Sequence, residues 1–463
     1  HGHPDKLNLG MEAYGLNFAP EFAYPAACDG GEEHVNWTLS SANHNVVMVN
    51  NMSQSWIGPK ETGNPMHFDD SGKVKVMDVD MPIAYRGTTS IYRRTVVSIA
   101  ANDDVNYAVD FFRVKGGNEH VYSFHSQSDE VFETVGLDNM MKQPTGSYAG
   151  PEVTWKTTGM NNGFSYLYDV RRAQRVESGE FAVDWKVKDF RKILKTTPNL
   201  HMRLTMLNDF GLSEVALAKG DPPAVNKNPS GIEFVLARRS GKNLDSLFTT
   251  VLEPYKDERY IKSTEQIPAD QIKRVGGAQP GANDVVKGVK VTLDNGRVDY
   301  IIYATSNKTV YNVANVFNFS GFVGVYSVTG NEVGFSYMND GTLIGDVRGE
   351  DSYSGSVVGF TKENVAENTI QVKMDANVDL SKLSDQFMYI DNNASMNAAF
   401  LIYDAKRLPN GNVEMNVGDQ SAITSFKNPS DLKGGFNYII ANGMQFKIPL
   451  PVINDNSPVF SPI

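Results

Sequence analysis

A chain of 463 residues exceeds what one ordinary hydrophobic core holds, so two or three domains are expected. The formal net charge of −11 excludes the basic footprint that nucleic-acid backbones demand, while leaving room for a local basic cleft facing an anionic ligand. One cysteine, Cys28, excludes an internal disulfide framework and reads as a small buried residue, and no run approaches the roughly 18 apolar residues of a membrane span.

The first residue is His1, with no initiator Met, charged leader or apolar signal core. Either a signal peptide precedes it or the chain is the C-terminal part of a longer one. Leu7–Ala13 alternates apolar and polar side chains with period two and predicts a half-buried strand. Extending that phase backward turns Asp5, His3 and His1 inward, where polar groups need partners because burying them alone costs a few kcal/mol each. A turn near Gly15 leads to Phe18–Tyr24, and a loop over Asp29–Glu33 precedes a strand over Asn43–Val49 with His44 in phase with Val46 and Met48.

Strands follow over Ser90–Ala100, Tyr107–Val114, His120–His125, Phe164–Val170, Phe181–Val187, His201–Leu207, Ile232–Arg238 and Leu247–Leu252, separated by turn signals. Pro268–Gly281 reads as a long loop. Val286–Leu293 and Val298–Tyr303 form a hairpin across Asp294-Asn295-Gly296 with a type I′-compatible turn. Leu380–Phe387 is the one short helix candidate. With 20 Tyr, 24 Phe and 40 Gly, the fold class is all-β: a large antiparallel β-sandwich over residues 1–365 and a small C-terminal β domain over 366–463.

Half of the eight histidines lie in the first 44 residues. Two of His1, His3 and His44 with a nearby carboxylate would make a three-ligand N/N/O site for zinc or a similar divalent ion. His1-Gly2-His3 offers a second possibility, since a free α-amino group with two imidazoles could form the copper brace of oxidative polysaccharide-cleaving enzymes. No G-x-S-x-G elbow, Walker A loop or dinucleotide fingerprint is present. His120 and His125 are expected to hydrogen-bond within the sandwich, and the alternating Arg93 and Arg94 to supply a structural salt bridge rather than a substrate clamp.

His1-Gly2-His3-Pro4-Asp5-Lys6-Leu7-Asn8-Leu9 followed by Ala13-Tyr14-Gly15 resembles the opening of the sandwich domain in heparinase II/III-type polysaccharide lyases. Asn43-His44-Asn45-Val46-Val47, Tyr92-Arg93-Arg94-Thr95, Asp110-Phe111-Phe112-Arg113-Val114, His120–His125, Lys219-Gly220-Asp221-Pro222 and Glu253-Pro254-Tyr255 are similar to later motifs of that family, in order, across about residues 1–303. The resemblance implies β-elimination of a uronic-acid-containing polysaccharide, alginate before a glycosaminoglycan, by a secreted or periplasmic enzyme. It also implies that an (α/α) toroid precedes His1 and forms the other wall of the cleft. His1 then becomes the catalytic, cleft-facing residue, and His3 and His44 become ligands of a structural zinc-like ion. Glu21 is the carboxylate ligand, standing where the family usually has Asp, with Asp29 as the fallback. A non-catalytic carbohydrate-binding β module is the alternative.

Overall fold

The computed structural model describes residues 3–21, 31–56, 58, 61–70, 72–223, 228–393, 396–431 and 433–456. Strands dominate, and every helical segment among these residues is a turn of three to five residues. None is long and apolar enough to cross a membrane. The chain divides into two compact units, residues 1–58 with 79–264, and 59–78 with 265–463.

The first unit is an antiparallel sandwich. One sheet runs Met141–Lys142, Leu167–Val176, Leu212–Gly220, Ile232–Ser240, Glu119–His125, Val47–Val49 in hydrogen-bonded order. The other runs Ile91–Ala100, Asn106–Lys115, Asp245–Lys256, Leu200–Leu207, Glu180–Val187, Val131–Val135. Tyr122, Phe124, Leu217 and Val235 from the first meet Phe112, Trp185, Met202 and Phe248 from the second in a shared core. Ile91–Ala100 keeps the near-alternating burial of a strand with one wet face. Glu119–His125 is buried almost throughout, because Trp37, Phe164 and Tyr166 pack over the outer face of its sheet.

The N-terminal segment departs from the predicted strand. Leu7 sits at φ 64°, incompatible with extended backbone, and the Asn8 amide closes a turn on the Asp5 carbonyl at 2.9 Å. The strand shrinks to Met11–Ala13, which pairs with Leu16–Ala19 across Tyr14 and Gly15 at φ 50° and 78°. Those two positive values define the primed hairpin turn. At Asp294-Asn295-Gly296 only Gly296 has positive φ, so that hairpin exists with a three-residue turn in place of type I′.

His120 has the expected structural role: Nδ1 lies 2.8 Å from Ser246 Oγ and Nε2 2.8 Å from the Gly116 carbonyl. Burial lowers its pKa to about 4, against the opposing Gly116 carbonyl. An unfolded histidine titrates near 6.5, so this contribution to stability is fully present above that value and is lost as pH falls toward about 4. Urea unfolding should lose roughly 2–3 kcal/mol from this group between about pH 7 and about pH 4.5. His120→Gln should show a correspondingly shallower pH dependence, and an unchanged slope would refute the assignment.

In the second unit, Val286–Leu293, Arg297–Ala304, Val323–Thr329, Glu332–Asn339 and Pro451–Asp455 form one run of antiparallel strands, and Ile272–Gly277, Thr309–Val313, Phe317–Ser320, Leu343–Ile344 and Val347–Arg348 another. The predicted long loop Pro268–Gly281 therefore contains a strand. A seven-stranded sheet begins at Ser352 and closes its own core around Val357, Ile370, Met388, Met415 and Ile448. The boundary expected at 365/366 thus falls within this unit, inside the connection between two paired strands of that sheet. The helix expected over Leu380–Phe387 is only the turn Leu380–Lys382, capped by Asp379, after which the chain enters the strand Phe387–Ile390.

His67 lies on the early segment that belongs to this unit. Its Nδ1 is 2.7 Å from Asp78 Oδ2, its Nε2 2.9 Å from Asp340 Oδ2, and its ring stacks 3.8 Å from Phe322. Lys447 closes on the same Asp340 oxygen. Burial pushes the Asp340 carboxyl up, but the His67 and Lys447 contacts outweigh it and hold the group below the ordinary carboxylate range.

Candidate metal centre

Three separate segments of the first 44 residues converge at one corner of the sandwich. His3 and His44 are only 4% and 2% exposed, and their rings lie 5.7 Å apart. Glu21 Oε1 stands 3.8 Å from His3 Nδ1 and 3.3 Å from His44 Nδ1. Asp5 completes the group, with one ligand atom from each of the four residues within 4.8 Å of the others. A tetrahedral ion with bonds of about 2.0–2.1 Å spaces its ligands roughly 3.3–3.4 Å apart, so small side-chain adjustments would close this set on zinc. His1 and Asp29 lie outside the described residues, as does Cys28.

The backbone around the cluster is held by polar contacts. The Lys6 amide donates to Gln54 Oε1 at 2.6 Å, and Gln54 Nε2 returns to the Lys6 carbonyl at 2.9 Å and to Tyr92 Oη at 2.8 Å. Ser41 Oγ donates to the Pro4 carbonyl, and Lys6 Nζ to the His3 carbonyl. Asn8 links the parts, donating to Glu21 Oε2 at 3.2 Å and accepting from the Asn45 amide at 2.8 Å. Arg94 bonds Asp110 through two nitrogens at 2.9 and 2.7 Å, and its Nη1 reaches the Leu7 and Asn45 carbonyls at 2.7 and 2.5 Å. It is therefore the arginine of the structural salt bridge, and it ties the His3 segment to the His44 loop.

The electrostatics favour a cation among neutral imidazoles. Burial, and secondarily the neighbouring His3, drop the His44 pKa to about 3. Burial also lowers His3, with Asp5 opposing. Burial and then the nearby Asp5 push Glu21 up to about 7. Neutral imidazole is the metal-binding form, and a divalent ion would relieve the crowding of the two carboxylates. Neither buried ring nitrogen of His44 makes a hydrogen bond of ordinary geometry, a position a buried polar group holds only at a cost unless something coordinates it. Two nitrogen and two oxygen donors from the protein would fill a tetrahedral shell, the closed arrangement typical of structural ions.

The period-two phase of the sequence turns Asp5 inward but does not mark it as a ligand; the structure brings it into the group. His34, for which the sequence suggested no role, lies near enough to His3 to depress its pKa. His125 packs its ring 4.6 Å from Phe234, and its amide donates to Asn45 Oδ1. Glu21 also borders a small cleft walled by Gln127, Phe190, Arg191 and Asn228, so that Arg191 joins Lys6 as a cation near the cluster in an acidic chain.

No family model matches the sequence, and no curated protein matches it. Among solved structures, the chain is similar to the heparan sulfate lyase from Pedobacter heparinus, with TM-score 0.39 and 13% identity over 64% of this chain and 36% of that one. It is similar to heparinase III with TM-score 0.40 and 13% identity over 65% and 36%. The chain thus spans little more than a third of the length of these proteins.

Proposed function

We propose that the chain is the sandwich side of a polysaccharide lyase that acts outside the cytoplasm and cleaves a uronic-acid-containing polymer by β-elimination. His3, Asp5, Glu21 and His44 would hold a divalent ion, zinc by its donor set, that fixes the segment leading to His1. The observation that carries this is convergence. Three residues that an ordered set of motifs assigns to one centre come from three separate segments and meet within coordination reach.

β-Elimination needs the uronate carboxylate neutralised, a base for the C5 proton and an acid for the departing O4. It needs no water nucleophile, so a closed ion suits a supporting role, with the charge of the bound ion rigidifying the loop ends that carry the reacting groups. His1, two positions before His3 in the sequence, would be the catalytic residue. Arg191, at the small cleft beside Glu21, would attract the anionic chain from its rim. A toroid upstream of His1 would supply the remaining acid–base and carboxylate-binding groups. Alginate stands first as substrate and a glycosaminoglycan second.

The test is the protein with its upstream region, assayed on both polymers for the ultraviolet absorbance of a new C4–C5 double bond. Turnover on one of them is expected, with His1→Ala lowering the rate about 100-fold or more. No unsaturated product from any uronate polymer would end this assignment.

A further inference from the structure

The four tryptophans fall into two classes. Trp37 and Trp185 are fully buried, whereas Trp56 and Trp155 are 62% and 41% exposed. Trp155 is held in place despite its exposure. Its indole N–H donates to the Tyr166 carbonyl at 3.3 Å, and its ring lies 5.0 Å from that of Tyr168, tilted by 57°. Tyr168 is fixed in turn, its hydroxyl donating toward Asp221 Oδ1 at 2.7 Å and lying 3.0 Å from the Ser230 carbonyl. Lys156 adopts φ 63°, a backbone region lysine seldom enters, and places Nζ 4.7 Å from the Trp155 ring centroid. That ammonium also meets Glu33 Oε1 at 3.1 Å, and both partners remain partly in solvent.

The topology puts this platform and the metal cluster on one end of the same sheet. Leu167 pairs with Gly220, Gly220 with Ile232, and Phe234 with His125. From the strand of Tyr168 to that of His125 is three strand spacings, about 15 Å. His125 is bonded to Asn45, the neighbour of His44. Between the two ends lie Asp221 and Ser230, followed by the cleft of Asn228, Arg191 and Glu21.

We infer that Trp155, Tyr168 and Lys156 form an outlying subsite that stacks one sugar ring of an acidic polysaccharide and pairs its carboxylate with the Lys156 ammonium, several units from the point of cleavage. The inference rests on the lyase assignment for the identity of the polymer. Its chemistry is that of the patch. An anchored, half-exposed indole offers a flat apolar face for the C–H face of a pyranose, and the Lys156 ammonium, exchanging Glu33 for the incoming carboxylate, would favour an anionic sugar over a neutral one. A polymer lying along this sheet end past the Glu21 cleft would reach it.

The experiment titrates the 463-residue chain with alginate and glycosaminoglycan fragments, each as disaccharide and octasaccharide, by calorimetry, with circular dichroism to check folding. The octasaccharide of one polymer should bind about tenfold more tightly than its disaccharide. Trp155→Ala should erase most of that advantage and Lys156→Ala part of it, while Trp56→Ala keeps it. The subsite is overturned if folded Trp155→Ala and Lys156→Ala both retain the wild-type length dependence. It is equally overturned if the wild type binds octasaccharide no better than disaccharide, or binds neither. Failure of the lyase assignment looks different: length-dependent, Trp155-dependent binding persists, but the protein with its upstream region makes no unsaturated product.

Discussion

Arg94→Ala is expected to lower the unfolding free energy of the first unit by about 3–5 kcal/mol, measured by urea denaturation. Arg94 and Asp110 are both buried, and truncating the arginine leaves a carboxylate without its two guanidinium bonds in the low-dielectric interior. The truncation also removes the donor to the part-buried Leu7 carbonyl and the buried Asn45 carbonyl. Arg94→Lys should recover only part of the loss, because an ammonium cannot reproduce the planar fork. Replacing both partners with apolar residues of similar volume should cost less than the single truncation. If Arg94→Ala cost less than about 1 kcal/mol, the clamp would be a bystander, and the registration of the two ligand-bearing segments would need another cause.

The second large effect concerns the ion. His44→Ala should weaken zinc binding by about 100-fold or more, since it would remove an inner ligand of the proposed centre, where loss of an outlying partner alone typically costs 10–100-fold. Asn8→Ala should fall in that smaller range, because Asn8 only orients Glu21 and the Asn45 amide. Binding to the folded state alone stabilises it, by about 2.7 kcal/mol at a free metal concentration 100 times Kd. Zinc should therefore raise the melting temperature of the wild type, a chelator should reverse the gain, and His44→Ala should respond to neither. A zinc-dependent shift that survived in His44→Ala would place the ion elsewhere.

The sandwich strands were legible because their pattern is local. Strands such as Ile91–Ala100 and Glu180–Val187 carry β-branched and aromatic residues between clear turn signals, and the observed ends differ from those expected by a residue or two. The N-terminal segment departs from its expected strand for the opposite reason. Its alternation is real in the sequence, but Lys6 and Leu7 turn the chain and Gln54, Ser41 and Arg94 hold it, all contacts from distant segments. The grouping of His3, Glu21 and His44 came from motif order, whereas Asp5 entered through that same turn, which no periodicity describes. Leu380–Phe387 failed as a helix because tertiary pairing recruits Phe387–Ile390 into a sheet. The His67 contacts with Asp78 and Asp340 were invisible, since Asp340 lies 273 positions away and no local pattern marks either partner.

Elemental analysis of the purified chain, after dialysis against trace zinc and then metal-free buffer, is the most direct measurement of the central claim. A structural centre on His3, Asp5, Glu21 and His44 predicts one zinc per chain in the wild type and almost none in His44→Ala. An ion-free wild type, or the same zinc content in both proteins, would contradict it.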